Sequence, residues 1–475
     1  MKKIKLLPLL LSSVMLFTSC SSTANSTYVE SPTHQVEQVH SLSFDAIGGN
    51  DVMPIGVWWG PYDWDFGSSD GNLVPYYHQD KFYELLKDCN VNMITVSRDN
   101  YAAQEKRAPI MKSLDFCKKY KIGLIVQHST VYSTNWLDKN ALLESISEYI
   151  NHPACIGIHA IDEPKQSAFE KVKAAYEIFN SLGFNDKVLS TNLYGNLMTP
   201  VGYSGNESKG ITYEEYISSF LDNIDIKFLS TDTYIFSEPE SEGKPSLVNS
   251  KMLYDDLSVK RKYSDMHEIP FWVMVQAGDP MWYPGEYVVQ TLYPNESEFI
   301  WNVNVSVAYG AKGLTYFTAF QPDGASFLPG GERVFDRTGL FGLAGNINRW
   351  YYYAQKVNKQ LAEIDHILMN AMNLGVIPIG KAVEEITGEE KIEQFRELKD
   401  VSASGGEALV GCFDYFGKTA LYVVNNSTTE KQEITLKFDN NYGYEVIQRA
   451  THVDVSGENV KLTMEAGEGI LVRLK

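Results

Sequence analysis

Cysteine is scarce in this chain and scattered: Cys89, Cys117, Cys155 and Cys412 lack the close spacing of a zinc site or a disulfide framework. They read as buried thiols. A bridge such as Cys89 to Cys117 stays open, because sequence alone does not place two sulfurs. Positive charge is also short. With 41 Lys and Arg against 60 Asp and Glu, the formal net charge is -19 and the pI about 5.0. A phosphate backbone or an anionic lipid surface needs a basic partner, so nucleic acid and direct membrane-surface binding are excluded, and a neutral or weakly charged substrate fits better. His128 stands alone, with no nearby His or Asp at metal-ligand spacing, so neither a metal nor a cofactor is expected. What is plentiful is apolar and aromatic: 475 residues, 44% hydrophobic and 12% aromatic, with 29 Tyr and 8 Trp. That is enough for one large core plus a smaller one, hence two domains. The aromatics suit a cleft that stacks the apolar faces of sugars, although they also fill cores.

The N-terminus runs from Lys2-Lys3-Ile4-Lys5 through apolar Leu6 to Phe17 into Thr18-Ser19-Cys20-Ser21-Ser22, the three regions of an export signal. The apolar stretch is too short to span a bilayer as a mature helix. Its Phe17-Thr18-Ser19-Cys20 ending resembles a bacterial lipobox, which implies removal of residues 1–19 and a lipid on Cys20. A lipid-anchored protein of the bacterial envelope is therefore expected. Residues 20–45 are polar and aperiodic at their start and read as a flexible tether.

Between Pro54 and Phe320, short β-branched runs alternate with polar turns and helical stretches, the pattern of successive βα units around a parallel sheet. Eight runs are present: Pro54–Trp59, Met93–Arg98, Ile122–His128, Cys155–Ile161, Val188–Asn192, Phe228–Tyr234, Phe271–Gln276 and Gly313–Thr318. Eight such units close a (β/α)8 barrel, placed at 46–370. From about Val376 the chain changes to alternating strands, as in Ala420–Val424, Glu433–Phe438 and Gly469–Leu474, so residues 376–475 read as an antiparallel β-sandwich domain that packs on the barrel.

Asp162-Glu163-Pro164 closes the fourth run and puts two carboxylates where a strand turns into a helix, the end at which such barrels keep their chemistry. Either acid could instead simply cap the helix that follows. Polar or aromatic residues recur at the other tips: Trp58 and Trp59, Arg98, His128, Asn192 with Tyr194, Asp232 with Tyr234, Gln276 and Tyr316. A buried parallel strand has no structural need for so many polar tips.

Asn151-His152-Pro153-Ala154 before the fourth strand, Asp-Glu-Pro after it and Ala308-Tyr-Gly-Ala-Lys-Gly-Leu-Thr-Tyr-Phe317 into the eighth resemble the glycoside hydrolase clan A superfamily, over most of Pro54 to Gln360. In particular the chain is similar to barrel lipoproteins of gut Bacteroidetes and to β-galactosidase-like members with a C-terminal β-domain. The resemblance implies a glycosidase with Glu163 as general acid/base, Asp162 replacing the usual Asn, and a nucleophilic Glu at the tip of strand seven. There the chain has Gln276, and an amide cannot form a glycosyl ester.

Glycoside cleavage needs a proton donor and a second group that meets the oxocarbenium charge. Glu163 is the expected donor, with Asp162 raising its pKa if both face the cleft, although adjacent strand residues ordinarily face opposite ways. Asp232 is the expected second carboxylate and Asp279 the next; substrate assistance through an acetamido group is a third route. Trp58, Trp59, Tyr194, Tyr234 and Tyr316 would stack sugars, and Arg98, His128, Asn192 and Gln276 would meet hydroxyls. Two other readings stay open: a carbohydrate-binding barrel without activity, motivated by Gln276, and a scaffold subunit of a glycan-uptake complex.

Overall fold

The computed structural model describes residues 28–61, 78–96, 107–127, 138–237, 247–278, 294–321, 336 and 338–475. Cys20, Arg98, His128 and Asp279 lie outside the described residues.

Strands β1 (Ile55–Trp58), β2 (Met93–Val96), β3 (Gly123–Gln127), β4 (Cys155–Asp162), β5 (Val188–Tyr194) and β6 (Leu229–Asp232) alternate with helices α1 (Asp80–Asp88), α2 (Arg107–Tyr120), α3 (Lys139–Ile146), α4 (Phe169–Ser181), α5 (Pro200–Ser204) and α6 (Tyr213–Leu221). A two-residue pair, β7 (Phe236–Ser237) with β8 (Leu247–Val248), precedes α7 (Ser250–Met266). Then come β9 (Phe271–Gln276), α8 (Glu296–Ala308), β10 (Gly313–Phe317) and α9 (Arg349–Leu368). The eight parallel strands close in the order β1-β10-β9-β6-β5-β4-β3-β2, the expected barrel, with runs matching the sequence reading to within a residue or two. Buried on both faces, they need no polar alternation.

A short helix, α10 (Ala382–Glu385), and strands β11 (Ala371–Ile379), β12 (Leu398–Ala403), β13 (Ala408–Tyr415), β14 (Lys418–Asn425), β15 (Gln432–Gln448), β16 (Thr451–Met464) and β17 (Gly469–Leu474) complete the chain. All seven strands pair antiparallel in one sheet, β11-β13-β14-β17-β15-β12 with β16 on β15. The sheet starts at Ala371, earlier than the change of pattern at Val376 suggested. A register break between Lys437 and Tyr442 lets β15 pair with β12 in its first half and β17 in its second, so the sheet folds into a sandwich. Val410, Cys412, Leu421, Val423, Ile434, Leu436, Leu462 and Ile470 fill its interior.

The other face of β13 and β14 packs on α8, and this explains why that helix is buried on every side from Phe299 to Ala308: one side meets the barrel, the other the sandwich. Gly411 sits where a Cβ would come 2.2 Å from the Ala308 carbonyl oxygen, so only glycine allows this approach. Asn304 donates to the Gly467 carbonyl at 2.8 Å and accepts from the Tyr422 hydroxyl at 2.8 Å, satisfying the polar groups buried there.

The stretch read as a flexible tether departs from that expectation over residues 28–45. The Val29 amide donates to the Asn441 carbonyl, Ser31 Oγ to the carbonyl of Lys475, and the His34 amide to the Gly417 carbonyl, while His34 Nε2 meets Glu397 at 2.6 Å. Beyond it, Phe44 lies edge-on to Trp272 and joins Ile47, Ile125, Ile156 and Phe228 in closing the floor of the barrel. Polar composition suggested a coil, but the partners are backbone groups of distant strands, which composition does not reveal. The cysteines Cys89, Cys117, Cys155 and Cys412 are buried free thiols, as read.

Candidate active site

β4 carries one extra residue at each of two register breaks, opposite Leu124/Ile125 on β3 and between His159 and Ile161 against β5. The strict in-out alternation of a strand is lost, and Ala160 and Ile161 both pack in the outer core. Glu163 then takes a left-handed φ of +47°, its amide donating to the Asn192 carbonyl at 2.8 Å. Both acids therefore turn toward β5 and β6, which ordinary alternation forbids. Tyr216 of α6 donates to the Pro164 carbonyl at 2.7 Å and pins the turn that follows.

Three carboxylates meet there. Glu163 and Asp232 stand close enough to act on each other's titration, Glu163 raising Asp232 and Asp232 lowering Glu163. Asp232, 7% exposed, accepts from the Gly195 amide at 3.2 Å, while the neighbouring Tyr234 hydroxyl donates to Met274 Sδ at 3.3 Å. Asp162 accepts from Asn192 Nδ2 at 3.3 Å, and Asn192 in turn accepts from Ser230 Oγ at 2.9 Å. Among the described residues no ammonium or guanidinium pairs with any of the three.

Charge without a counter-ion favours protonation. Burial pushes the Asp232 carboxyl well above the usual carboxylate range, and the charges of Glu163 and then Asp162 push it further. Glu163 is raised by burial, with neighbouring Asp232 opposing the rise. Asp162 is raised by crowding of protein atoms first and by the Glu163 charge second, with the Asn192 bond opposing. Asp162 is nonetheless exposed at the barrel mouth, so water limits how far crowding moves it.

Beside the acids, Phe317 carries Trp59 at 5.5 Å and Tyr234 at 5.7 Å between ring centroids, an aromatic patch with Trp58 and Met274 packed under it. Trp58 is buried and lies edge-on to His159 at 5.2 Å, below the mouth rather than in it. Below that, a cavity of about 10 Å³ is lined by Thr95, His159, Ser190, Asn192 and Ser230.

Four expected sugar contacts sit elsewhere. Tyr316 faces the helices, its hydroxyl donating to Asn358 Oδ1 at 2.5 Å and its ring stacked on Phe299. Thr315 and Phe317 are the inward residues of β10, so the expectation missed by one position, which in a strand means the opposite face. Tyr194 rests against Tyr216 on the helical side. Gln276 is 0% exposed and spends its amide on backbone: Nε2 donates to the carbonyls of Gly278 (3.0 Å) and Phe236 (3.4 Å), and Oε1 accepts from the Phe236 amide (3.3 Å). It clips β9 to β7 and offers nothing to a sugar hydroxyl. Asn192 is buried and holds Asp162 instead of reaching the mouth.

Phe317, Met274, Gly195 and His159 were not singled out from the sequence. Counting in twos from Thr315 would have found Phe317, and a histidine inside an apolar run was the signal for His159. Gly195 carried none: its Cβ would stand 2.2 Å from the Asp232 carbonyl oxygen, a contact made only by folding.

No protein-family model matches the sequence, and a search of curated proteins finds no significant match. Solved structures to which the chain is similar include one described as "Glycoside hydrolase" (10% identity, 89% of this chain and 92% of that one, TM-score 0.47). Others are a β-galactosidase from the psychrophilic Marinomonas ef1 (11%, 68% and 62%, 0.47) and a β-glucuronidase from Ruminococcus gnavus (13%, 64% and 49%, 0.41). The chain spans about half the length of that glucuronidase. The fold is a (β/α)8 barrel with an appended antiparallel β domain, as the strand order already showed. At these identities and TM-scores the likeness carries nothing further.

Proposed function

We propose that the chain hydrolyses O-glycosidic bonds of an oligo- or polysaccharide, with Glu163 as the proton donor. The observation that carries this reading is the cluster of Glu163, Asp232 and Asp162 at the barrel mouth, paired with no cation among the described residues and set beside the Trp59, Phe317 and Tyr234 patch. A glycosidic oxygen leaves only when protonated, so a donor must keep its proton near neutral pH, and two acids this close do not both ionise. Aromatic faces beside the donor suit the apolar faces of a pyranose. With Gln276 committed to backbone, a nucleophile on β9 is not part of this reading; Asp232 is the candidate for the second group, with Asp279 and Asp162 next.

Gln276 favours a second reading, a barrel that binds glycans without cleaving them. One experiment separates the two: the chain from Ser21 onward is assayed for product release from a panel of plant and host glycans and 4-nitrophenyl glycosides, beside Glu163→Gln. Loss of a proton donor costs on the order of 10²–10⁴-fold in turnover. Full turnover in Glu163→Gln would sink the assignment, and calorimetric binding without product would favour the second reading. The chain should begin ahead of Tyr28, because residues 28–47 are packed on the sandwich and the barrel floor.

We also place the protein at a bacterial envelope, lipid-anchored through Cys20. Incorporation of a palmitate analogue, lost in Cys20→Ala, is the check.

A further inference from the structure

The segment over residues 28–45 is fixed at one end of the molecule, and α8 shows which end. That helix follows β9, so it runs from the barrel mouth at Glu296 to the floor at Ala308. Near its start Ser297 Oγ donates to the Thr428 carbonyl at 2.6 Å, and a turn on Trp301 Nε1 donates to Asn426 Oδ1 at 2.8 Å. Further along, Asn304 meets the Tyr422 hydroxyl, and Ala308 at the end meets Gly411, the partner of Tyr422. Followed from Asn425 back to Lys418, β14 therefore descends from mouth to floor. Its hairpin with β13, at Phe416 and Gly417, lies at the floor end.

The first described residues gather at that hairpin. The His34 amide donates to the Gly417 carbonyl, Lys418 Nζ to the Ser31 carbonyl at 2.6 Å, and Ser31 Oγ to the carbonyl of Lys475. The Tyr28 ring lies over Gly443, where a Cβ would come 3.0 Å from it, and the Gly443 carbonyl accepts from the Lys475 amide. Phe44 and Ile47 continue under the barrel. Tyr28, Val29 and Phe416 stand exposed at this end.

Length then decides orientation. Cys20 is eight residues ahead of Tyr28, so a lipid on its sulfur is tied to the floor end by at most about 29 Å of chain. The body is taller. Helix α9 runs from Arg349, past the mouth end of β10, to Leu368, whose carbonyl meets Lys312 Nζ at the floor; its twenty residues alone span about 30 Å. A mouth turned onto the bilayer would lift the floor beyond the reach of that chain.

We infer that the floor end faces the membrane and the candidate site opens away from it, so that its substrate is a glycan arriving from the aqueous side and not the head group of a lipid in the anchoring membrane. This rests on the proposed hydrolase reading and on the proposed Cys20 anchor. A net charge of -19 gives no attraction to an anionic surface, so the anchor does the holding. Tyr28, Val29 and Phe416 meet the interface as apolar contacts made once the lipid is in place.

The test uses the full chain, processed and acylated in a bacterial host and reconstituted into phosphatidylcholine vesicles. A fluorophore is placed on one introduced cysteine, Phe416→Cys at the floor end or Leu197→Cys in the exposed loop after β5, at the mouth. Cys89, Cys117, Cys155 and Cys412 are buried and take no label in the folded chain. A nitroxide carried on the lipid acyl chains should quench the Phe416→Cys label and leave the Leu197→Cys label at its emission in nitroxide-free vesicles. Equal quenching of the two, or stronger quenching at Leu197→Cys, would overturn the orientation with the anchor intact. Vesicles that fail to retain the full chain would overturn the anchor and the inference with it. Turnover gives the second readout: vesicle-bound and soluble chains should cleave the best 4-nitrophenyl glycoside at equal rates, while a glycolipid bearing the same sugar in the same vesicles stays uncut. Release of sugar from that glycolipid would overturn the substrate assignment. A chain inactive on every glycoside, with the expected pattern of quenching, would overturn the hydrolase reading and the substrate assignment and leave the orientation standing.

Discussion

Replacing Gln276 by Glu restores, on paper, the carboxylate that strand seven of a retaining glycosidase carries, and the structure predicts that it damages the protein instead. The site is fully buried, and two of its three backbone partners are carbonyls that need a donor. An ionised Glu would face both with none. A protonated Glu could serve one carbonyl and leave the other unpaired, at about 1–3 kcal/mol. Each pH unit between an acid's own titration and the solution is worth about 1.4 kcal/mol, so holding the introduced acid neutral at pH 7 against an ordinary value near 4.3 costs about 3.7 kcal/mol more. The folded-state pKa of the new acid lies above its unfolded value, so the cost is full at neutral pH and relaxes as pH falls toward the unfolded value. Urea unfolding of Gln276→Glu should show a deficit of about 5–7 kcal/mol at pH 7 and about 1–3 kcal/mol near pH 4. A deficit under 1 kcal/mol at both pH values, or a gain in glycoside turnover, would refute the assignment of Gln276 to the backbone.

Gly195→Ala forces a Cβ to within 2.2 Å of the Asp232 carbonyl oxygen and 2.4 Å of Thr233 Oγ1. It should cost about 1–3 kcal/mol and lower turnover through the lost support of Asp232; unchanged turnover and melting would count against that support. His159, whose ring lies buried with Nε2 unpartnered among the described residues, is pushed down to about 3 by burial. The unfolded chain binds this proton from about pH 6.5 and the folded chain does not until about pH 3, so the wild type should lose about 4–5 kcal/mol from this group as pH falls through that window. His159→Leu should remove that loss, and acid melting curves that run parallel in the two proteins would contradict it.

The sequence by itself determined the architecture. β-branched runs with polar ends and amphipathic stretches between them leave one way to bury every apolar face, which is why the eight strands from Pro54 onward and Gly469–Leu474 could be read almost to the residue. It also located Glu163 and Asp232, because carboxylates at strand tips break a local rule. Everything that depends on which way a side chain turns, or which distant backbone it meets, waited for the tertiary structure. Two extra residues in β4 and a left-handed Glu163 bring adjacent acids to one side, although strand alternation alone argues otherwise. One step of parity gives the aromatic patch to Phe317 and not Tyr316. Gln276 looked like a lost nucleophile until its amide was seen clipping β9 to β7, and residues 28–45 looked like a tether until their partners in the sandwich were found. Local pattern encodes burial, which is a property of each residue; hydrogen-bond partners are a property of pairs far apart in the chain, and only the closed barrel brings those pairs together.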